Sequence, residues 1–217
     1  MAIVVVGGHT RNIGKTSVVC GILAALPQYH WTAFKITQYG HGVCSANGGP
    51  CDCATSAHTA AVTEEHDAAG GTDTARFLQA GAVRSFWVRT RQGHLAEAMP
   101  RLRAVLAEAP NAILESNSIL HFLRPDLYLA VLDARVADFK PSAQYFLDRA
   151  DALLRVVPPN ANGPQRWPDQ APARAQRRPQ IFLHPPEFAP PALVRFLQQR
   201  LSHCQEGPFF GAPQHRA

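Results

Sequence analysis

"VVVGGHTRNIGKTSVV", Val4 to Val19, sets a short apolar run against a glycine-rich turn and a second apolar segment. Ile3 to Val6 read as a buried strand, and the turn ends in Gly14-Lys15-Thr16. Val18, Val19, Ile22, Leu23 and Leu26 then recur with a helical period. In the order strand, glycine-rich turn, helix, successive backbone N–H groups point inward and the helix adds its unpaired N-terminal donors, so a phosphate chain fits there. Lys15 would bring a mobile positive charge to the outer phosphates, and the Thr16 hydroxyl would bind Mg²⁺. The expected phosphate-binding residues are Gly8, His9, Thr10, Arg11, Asn12, Ile13, Gly14, Lys15, Thr16 and Ser17. The common spacing G-x-x-x-x-G-K-[ST] asks for glycine at position 9, where this chain has His9. With Gly8 as the nearest glycine, the loop is one residue longer.

Beyond the loop, strand and helix patterns alternate, which implies an α/β fold in three layers around a mostly parallel sheet. Strands are expected at Ala2 to Val6, Trp31 to Thr37, Val83 to Arg89, Asn111 to Glu115, Leu127 to Leu132 and Ala152 to Val157. Helices are expected at Lys15 to Ala25, Asp73 to Ala80, Leu95 to Glu108 and Pro141 to Ala150. The carboxyl ends of such strands bring the loops after Val6, Thr37 and Glu115 together. Residues 1–157 form the expected domain, with a cysteine-rich loop at 39–58. The Pro- and Arg-rich stretch 158–179 reads as a linker, and 180–217 as a strand–helix extension. In that helix Leu193, Phe196, Leu197 and Leu201 share one face. They either pack back on the domain or meet a second copy in a homodimer.

A chain of 217 residues with 46% hydrophobic content suffices for one such domain and a tail, with no run of membrane-spanning length. The first residues lack the pattern of a secretion signal, so a cytoplasmic protein is expected. The formal charge of +5 is scattered along the chain, which favours an anionic nucleotide as partner over nucleic acid.

The second informative stretch is "YGHGVCSANGGPCDC", Tyr39 to Cys53. It holds three of the five cysteines, Cys44, Cys51 and Cys53, with His41 three residues before the first and His58 five after the last. Thiolates and imidazoles so close in a glycine-rich loop suit zinc or an iron–sulfur cluster. The alternative is a substrate loop whose cysteines are merely small side chains. Cys20 falls within the helical apolar pattern and is expected in the core.

Acidic candidates lie downstream. Glu115 closes the strand "NAILE" and can hold Mg²⁺ directly or through water. In "TEEHDAAGGTDTARF", Glu64, Glu65, His66, Asp67 and Asp73 are each able to order a water or bind metal, or else form a solvated loop. Asp73 stands out, because Thr72 can cap the helix that it begins and Arg76 one turn later faces the same side.

"GHTRNIGKT" resembles the phosphate loop of dethiobiotin synthetase and of cobyric acid synthase-type amidotransferases, which share this longer spacing. "GTDTARFLQAGAVRSFWV" resembles the segment of molybdopterin-guanine dinucleotide biosynthesis protein B (MobB) in which an Asp, an Arg and Ala-Gly-Ala precede a strand. The resemblance covers about residues 1–157 and implies a P-loop NTPase of the SIMIBI class, with ATP or GTP and Mg²⁺. Lys35, in "AFKIT", resembles the dethiobiotin synthetase lysine that faces the transferring phosphoryl group; the alternative is a solvated lysine on an edge. Lys15, Lys35, Asp73 and Glu115 are therefore the catalytic candidates. Thr16, Glu115, Cys44, Cys51, Cys53 and His41 are the candidate metal ligands. Asn117 and Ser118 depart from the glycines that follow the acid in these families. Asp133, Asp138 and Lys140 follow a strand where base-reading residues often lie in this class. Two functions follow from the resemblance. One is hydrolysis or phosphoryl transfer in cofactor biosynthesis, acting on a small molecule. The other is a MobB-like adaptor or metallochaperone in which hydrolysis switches affinity for a protein partner.

Overall fold

The computed structural model describes residues 1–39, 59–157 and 177–205. Its centre is one sheet of eight strands: β1 Ile3–Gly8, β2 Trp31–Tyr39, β3 Ala60–Glu65, β4 Arg84–Arg91, β5 Asn111–Glu115, β6 Leu127–Asp133, β7 Ala152–Val156 and β8 Gln180–Leu183. They lie in the order β3-β4-β2-β5-β1-β6-β7-β8. Every neighbouring pair is parallel except β3 with β4. The helices are α1 Lys15–Ala25, α2 Asp73–Gln79, α3 Leu95–Glu108, α4 Pro141–Phe146 and α5 Pro191–Gln205.

Strand alternation explains the three layers. Val4, Val6, Ala33, Ile113, Leu129 and Leu154 pack on one face with the buried residues of α1 and α5. Val5, Phe34, Leu114, Ala130 and Leu153 pack on the other with those of α3 and α4. Strands buried on both faces read as continuous apolar runs, as the first six of the seven buried positions of β6 do, before Asp133 closes it. The same alternation continues past the core. Lys35 and Glu115 follow Ala33 and Ile113 by two residues, so they rise on the α1 face.

The expected bounds of α1, α3 and β5 match the observed ones, and the remaining expected strands shift by one or two residues. Two differences are larger. β3 was not expected: its acidic, alanine-rich sequence has little apolar pattern, and its pairing with β4 makes it a strand. The helix expected at Pro141 to Ala150 ends at Phe146 and tightens into a 3-10 turn over Leu147–Arg149. In the extension, β8 pairs with β7, and α5 buries Leu193, Leu197 and Leu201 in the α1-side core with Phe196 packed beside them. The apolar face of α5 is thus taken up within its own chain.

Candidate functional site

Register assembles the site. Glu115, the last residue of β5, is level with Val6 on one side and Lys35 on the other, so the three residues stand in one row across β1, β5 and β2. Between β1 and α1 the chain turns through Asn12, with φ 57°, and Gly14, with φ 91°. Gly14 occupies the left-handed region, and a Cβ there would also lie 2.6 Å from the Phe188 ring of the segment preceding α5. A Cβ on Gly8 would stand 2.8 Å from Ile13 and 3.0 Å from the Val131 carbonyl oxygen. The loop therefore packs against its own chain on both sides.

Four elements bring charged groups to this loop. Thr16, in the first turn of α1, donates its hydroxyl to Glu115 Oε2 at 2.8 Å. The Lys35 ammonium lies 2.7 Å from Glu115 Oε1, 2.7 Å from Asp73 Oδ2 and 3.2 Å from Thr16 Oγ1. β2 is an interior strand and the Lys35 side chain is only 15% exposed, so this lysine is not a solvated edge residue. Burial disfavours its charge, but the carboxylates of Glu115 and Asp73 outweigh that and hold its pKa above the ordinary lysine value. Lys15 differs: it donates to the carbonyl of Thr10 at 2.5 Å, and burial, reinforced by Lys35, Lys140 and Arg11 against the attraction of Glu115, lowers its pKa to about 8.

Asp73 is reached because Thr72 caps α2, accepting a hydrogen bond from the Ala75 amide at 3.0 Å. Arg76 lies 3.4 Å from Asp73 Oδ1 and donates to the Ser17 hydroxyl at 3.4 Å. The other acids of this stretch are engaged elsewhere. Glu64 pairs with Arg84 at 2.7 Å, Glu65 accepts bonds from the hydroxyls of Thr72 and Thr74 and the amides of His66 and Asp67, and Asp67 accepts one from the Ala69 amide.

The residue that lengthens the loop, His9, is buried. Its Nε2 lies 3.1 Å from the Val136 carbonyl oxygen, its ring packs on Phe139, and burial lowers its pKa. Thr10 donates to Asp138, and the Lys140 amide donates to the His9 carbonyl at 2.9 Å. Asp133 is held by Arg135 at 2.6 Å. The segment after β6 thus braces the outer wall of the loop.

Sequence reasoning missed Asn117. Its amide accepts from the Gly8 N–H at 2.9 Å and donates to the Gly8 carbonyl at 2.7 Å, clasping the exit of β1. Nothing in the sequence marks this, because the contact spans 109 positions. The Phe188 contact at Gly14 was equally hidden. Cys20 is half-buried beside the core, its thiol directed to the Arg76 carbonyl at 3.6 Å. The candidate soft-metal ligands His41, Cys44, Cys51 and Cys53 lie outside the described residues. Among the described residues no group of three or more His, Cys, Asp or Glu is arranged to hold a metal, and no helix is long and apolar enough to cross a membrane.

No protein-family model and no curated protein matches the chain. Among solved structures it is similar to HypB from Helicobacter pylori in complex with nickel, at 12% identity and a TM-score of 0.47, over 96% of this chain and 92% of that one. It is also similar to the 54 kDa signal recognition particle protein from Aeropyrum pernix K1 in complex with GDP, at 15% identity and a TM-score of 0.44. That match covers 94% of this chain, which spans 47% of the larger one. At these scores neither likeness bears on what this chain does.

Proposed function

We propose that the chain binds a nucleoside triphosphate, ATP or GTP, with Mg²⁺ on the Gly8–Ser17 loop, and hydrolyses it or transfers its terminal phosphoryl group in cofactor biosynthesis. The observation that carries this reading is the meeting of Lys15, Thr16, Lys35, Asp73 and Glu115, from four separate elements, at the mouth of a glycine-rich turn.

The oxygens of Thr16, Glu115 and Asp73 already surround one positive charge, the Lys35 ammonium, within 3.2 Å. An all-oxygen set of this kind fits Mg²⁺, with Thr16 and Glu115 as its holders. When bound, Mg²⁺ supplies charge neutralisation at the phosphate oxygens. The remaining work falls to the chain. Loop amides and the start of α1 receive the phosphates. Lys15 exchanges the Thr10 carbonyl for an outer phosphate oxygen, and Lys35, kept protonated by its carboxylates, meets the charge on the transferring group. Arg76 stands by Ser17 to contact a phosphate, and Asp73 orients the attacking oxygen.

Lys15→Ala tests the reading. It should abolish nucleotide binding and turnover while far-UV circular dichroism stays native, and normal turnover in that variant would sink the assignment.

A MobB-like adaptor is the second reading. Its support is that Asp73 and Arg76, from the stretch that resembles MobB, lie beside Lys35 and Ser17. An adaptor hydrolyses slowly until its protein partner is added, whereas a phosphotransferase turns over with a small molecule alone. The soft-metal reading of Cys44, Cys51 and Cys53 rests on sequence. Elemental analysis of protein purified without oxygen, beside the triple serine variant, tests it. Iron with sulfide indicates a cluster and zinc a structural or delivery role; absence of both removes the reading.

A further inference from the structure

The phosphate loop lies at the carboxyl ends of the strands. At the opposite ends, where β6 and β7 begin, a second cleft of about 640 Å³ is lined by Arg124, Arg149, Arg178 and Arg200. This volume lies within the range of small-molecule sites. The four arginines come from four places: the turn before β6, the turn before β7, the residues entering β8, and α5. No single exposed helix face produces the cluster. The fold gathers it.

Two carboxylates also line the cleft, and both are committed to the backbone. Asp126 accepts the Ile3 amide at 2.7 Å, and Asp151 accepts the Tyr128 amide at 2.8 Å. Asp151 also pairs with Arg200 at 3.3 Å. Four arginines against two aspartates leave a net charge of +2. Among the described residues, no carboxylate forms a salt bridge with Arg124, Arg149 or Arg178.

Two of these guanidinium groups are nevertheless held in place. Arg149 donates to the Leu120 carbonyl at 3.4 Å and lies over the Phe146 ring at 5.0 Å. Arg178 donates to the Asp148 carbonyl at 2.8 Å. Each such bond uses one of five N–H donors and leaves the others for a ligand. Fixed guanidinium forks with uncompensated charge match phosphate oxygens, which they bind in bidentate fashion.

We propose that this cleft binds a small phosphorylated molecule, carrying a phosphate monoester or pyrophosphate group, at a site separate from the nucleotide loop. A compact concave cluster suits such a ligand better than a nucleic acid strand, which needs a basic groove that follows its backbone.

Inorganic pyrophosphate is the probe, titrated calorimetrically into the full chain at physiological salt. Two classes of site are expected in the native protein. Lys15→Ala should lose the loop site and keep the cleft site, whereas Arg149→Ser/Arg178→Ser should weaken the cleft site about tenfold or more and keep the loop site. Because Arg149 also packs on Phe146, Arg124→Glu provides a second variant at an exposed side chain. It should weaken the same site severalfold without change in melting temperature. Cleft binding that survives all the arginine substitutions overturns the proposal. So does binding that chloride or sulfate displaces as readily as pyrophosphate, which would mark an adventitious ion only. Tighter, arginine-dependent binding of a single-stranded oligonucleotide would replace the small molecule with nucleic acid. Failure of Lys15→Ala alone to change binding would count against the loop, and not against this cleft.

Discussion

Replacing Lys35 by Met keeps the aliphatic stem and removes the ammonium that neutralises Glu115 and Asp73. Glu115 is 4% exposed, and after the substitution only the Thr16 hydroxyl at 2.8 Å remains against its carboxylate. Removing one partner of a buried ion pair costs about 3–5 kcal/mol, because the other charge stays buried and uncompensated. Asp73 is 37% exposed and water screens its share, which puts the loss at the lower end, about 3 kcal/mol. For a domain of this size each kcal/mol lowers the melting temperature by about 2–4 °C, so Lys35→Met should melt about 6–12 °C below the native protein. The same substitution leaves three oxygen donors without a cation, so Mg²⁺ should bind it without nucleotide. At about one hundred times its Kd the ion returns about 2.7 kcal/mol, most of the loss. In the native protein Lys35 already holds those oxygens, and Mg²⁺ alone should stabilise little. The assay is thermal melting of both proteins in matched ionic strength, with MgCl₂ or with KCl. An unchanged melting temperature in the variant, or an equal response of both proteins to Mg²⁺, would refute the reading of this cluster as a cation site held by a lysine.

Three further outcomes follow from the same geometry. Since the free protein's Lys15 has a pKa of about 8, nucleotide affinity measured by titration should fall as pH rises through 8. Between about 8 and 10.5 the unfolded chain binds the Lys15 proton that the folded chain has released, so apo stability should gain from this group over the same range, and a fall in both quantities would contradict the burial of Lys15. His9 has a lowered pKa, so the unfolded state takes up its proton first as pH drops below 6.5 and stability should fall there; His9→Phe should show a shallower acid loss in melts between neutral and mildly acidic pH. Asn117→Ala removes both bonds to Gly8 and should cost about 1–3 kcal/mol in urea unfolding while weakening nucleotide affinity, and an unchanged affinity would separate the clasp from loop function.

The parts of the fold legible in the sequence are those where one local pattern suffices. Lys15–Ala25 and Leu95–Glu108 carry helical apolar periods, and Asn111–Glu115 is a compact apolar run ending in an acid. Glu115 is legible as a strand-end acid and Lys35 as a lysine within an apolar strand, although their contact is not: it depends on β5 lying between β1 and β2, which no local pattern encodes. β3 failed the same test in reverse. Its Ala-Ala-Val-Thr-Glu-Glu sequence becomes a strand through Val62 opposite Val88 and the Glu64–Arg84 pair, both tertiary.

His9 shows how one local irregularity is absorbed. His9 is buried where the chain leaves β1, and its backbone groups would stay unpaired there unless something met them. β6 and the segment after it meet them: the Val131 carbonyl of β6 accepts from the His9 amide at 3.3 Å, the Lys140 amide donates to the His9 carbonyl, the Val136 carbonyl lies against the ring nitrogen, and Phe139 packs on the ring. Thr10 is fixed in turn by Asp138. The loop and the 133–140 segment are therefore one structural unit: glycine at position 9 would keep the two backbone bonds but lose the imidazole's contacts with the Val136 carbonyl and the Phe139 ring. Asp138 and Lys140, which follow β6, thus have a defined part in holding the glycine-rich loop, whereas Asp133 is engaged by Arg135.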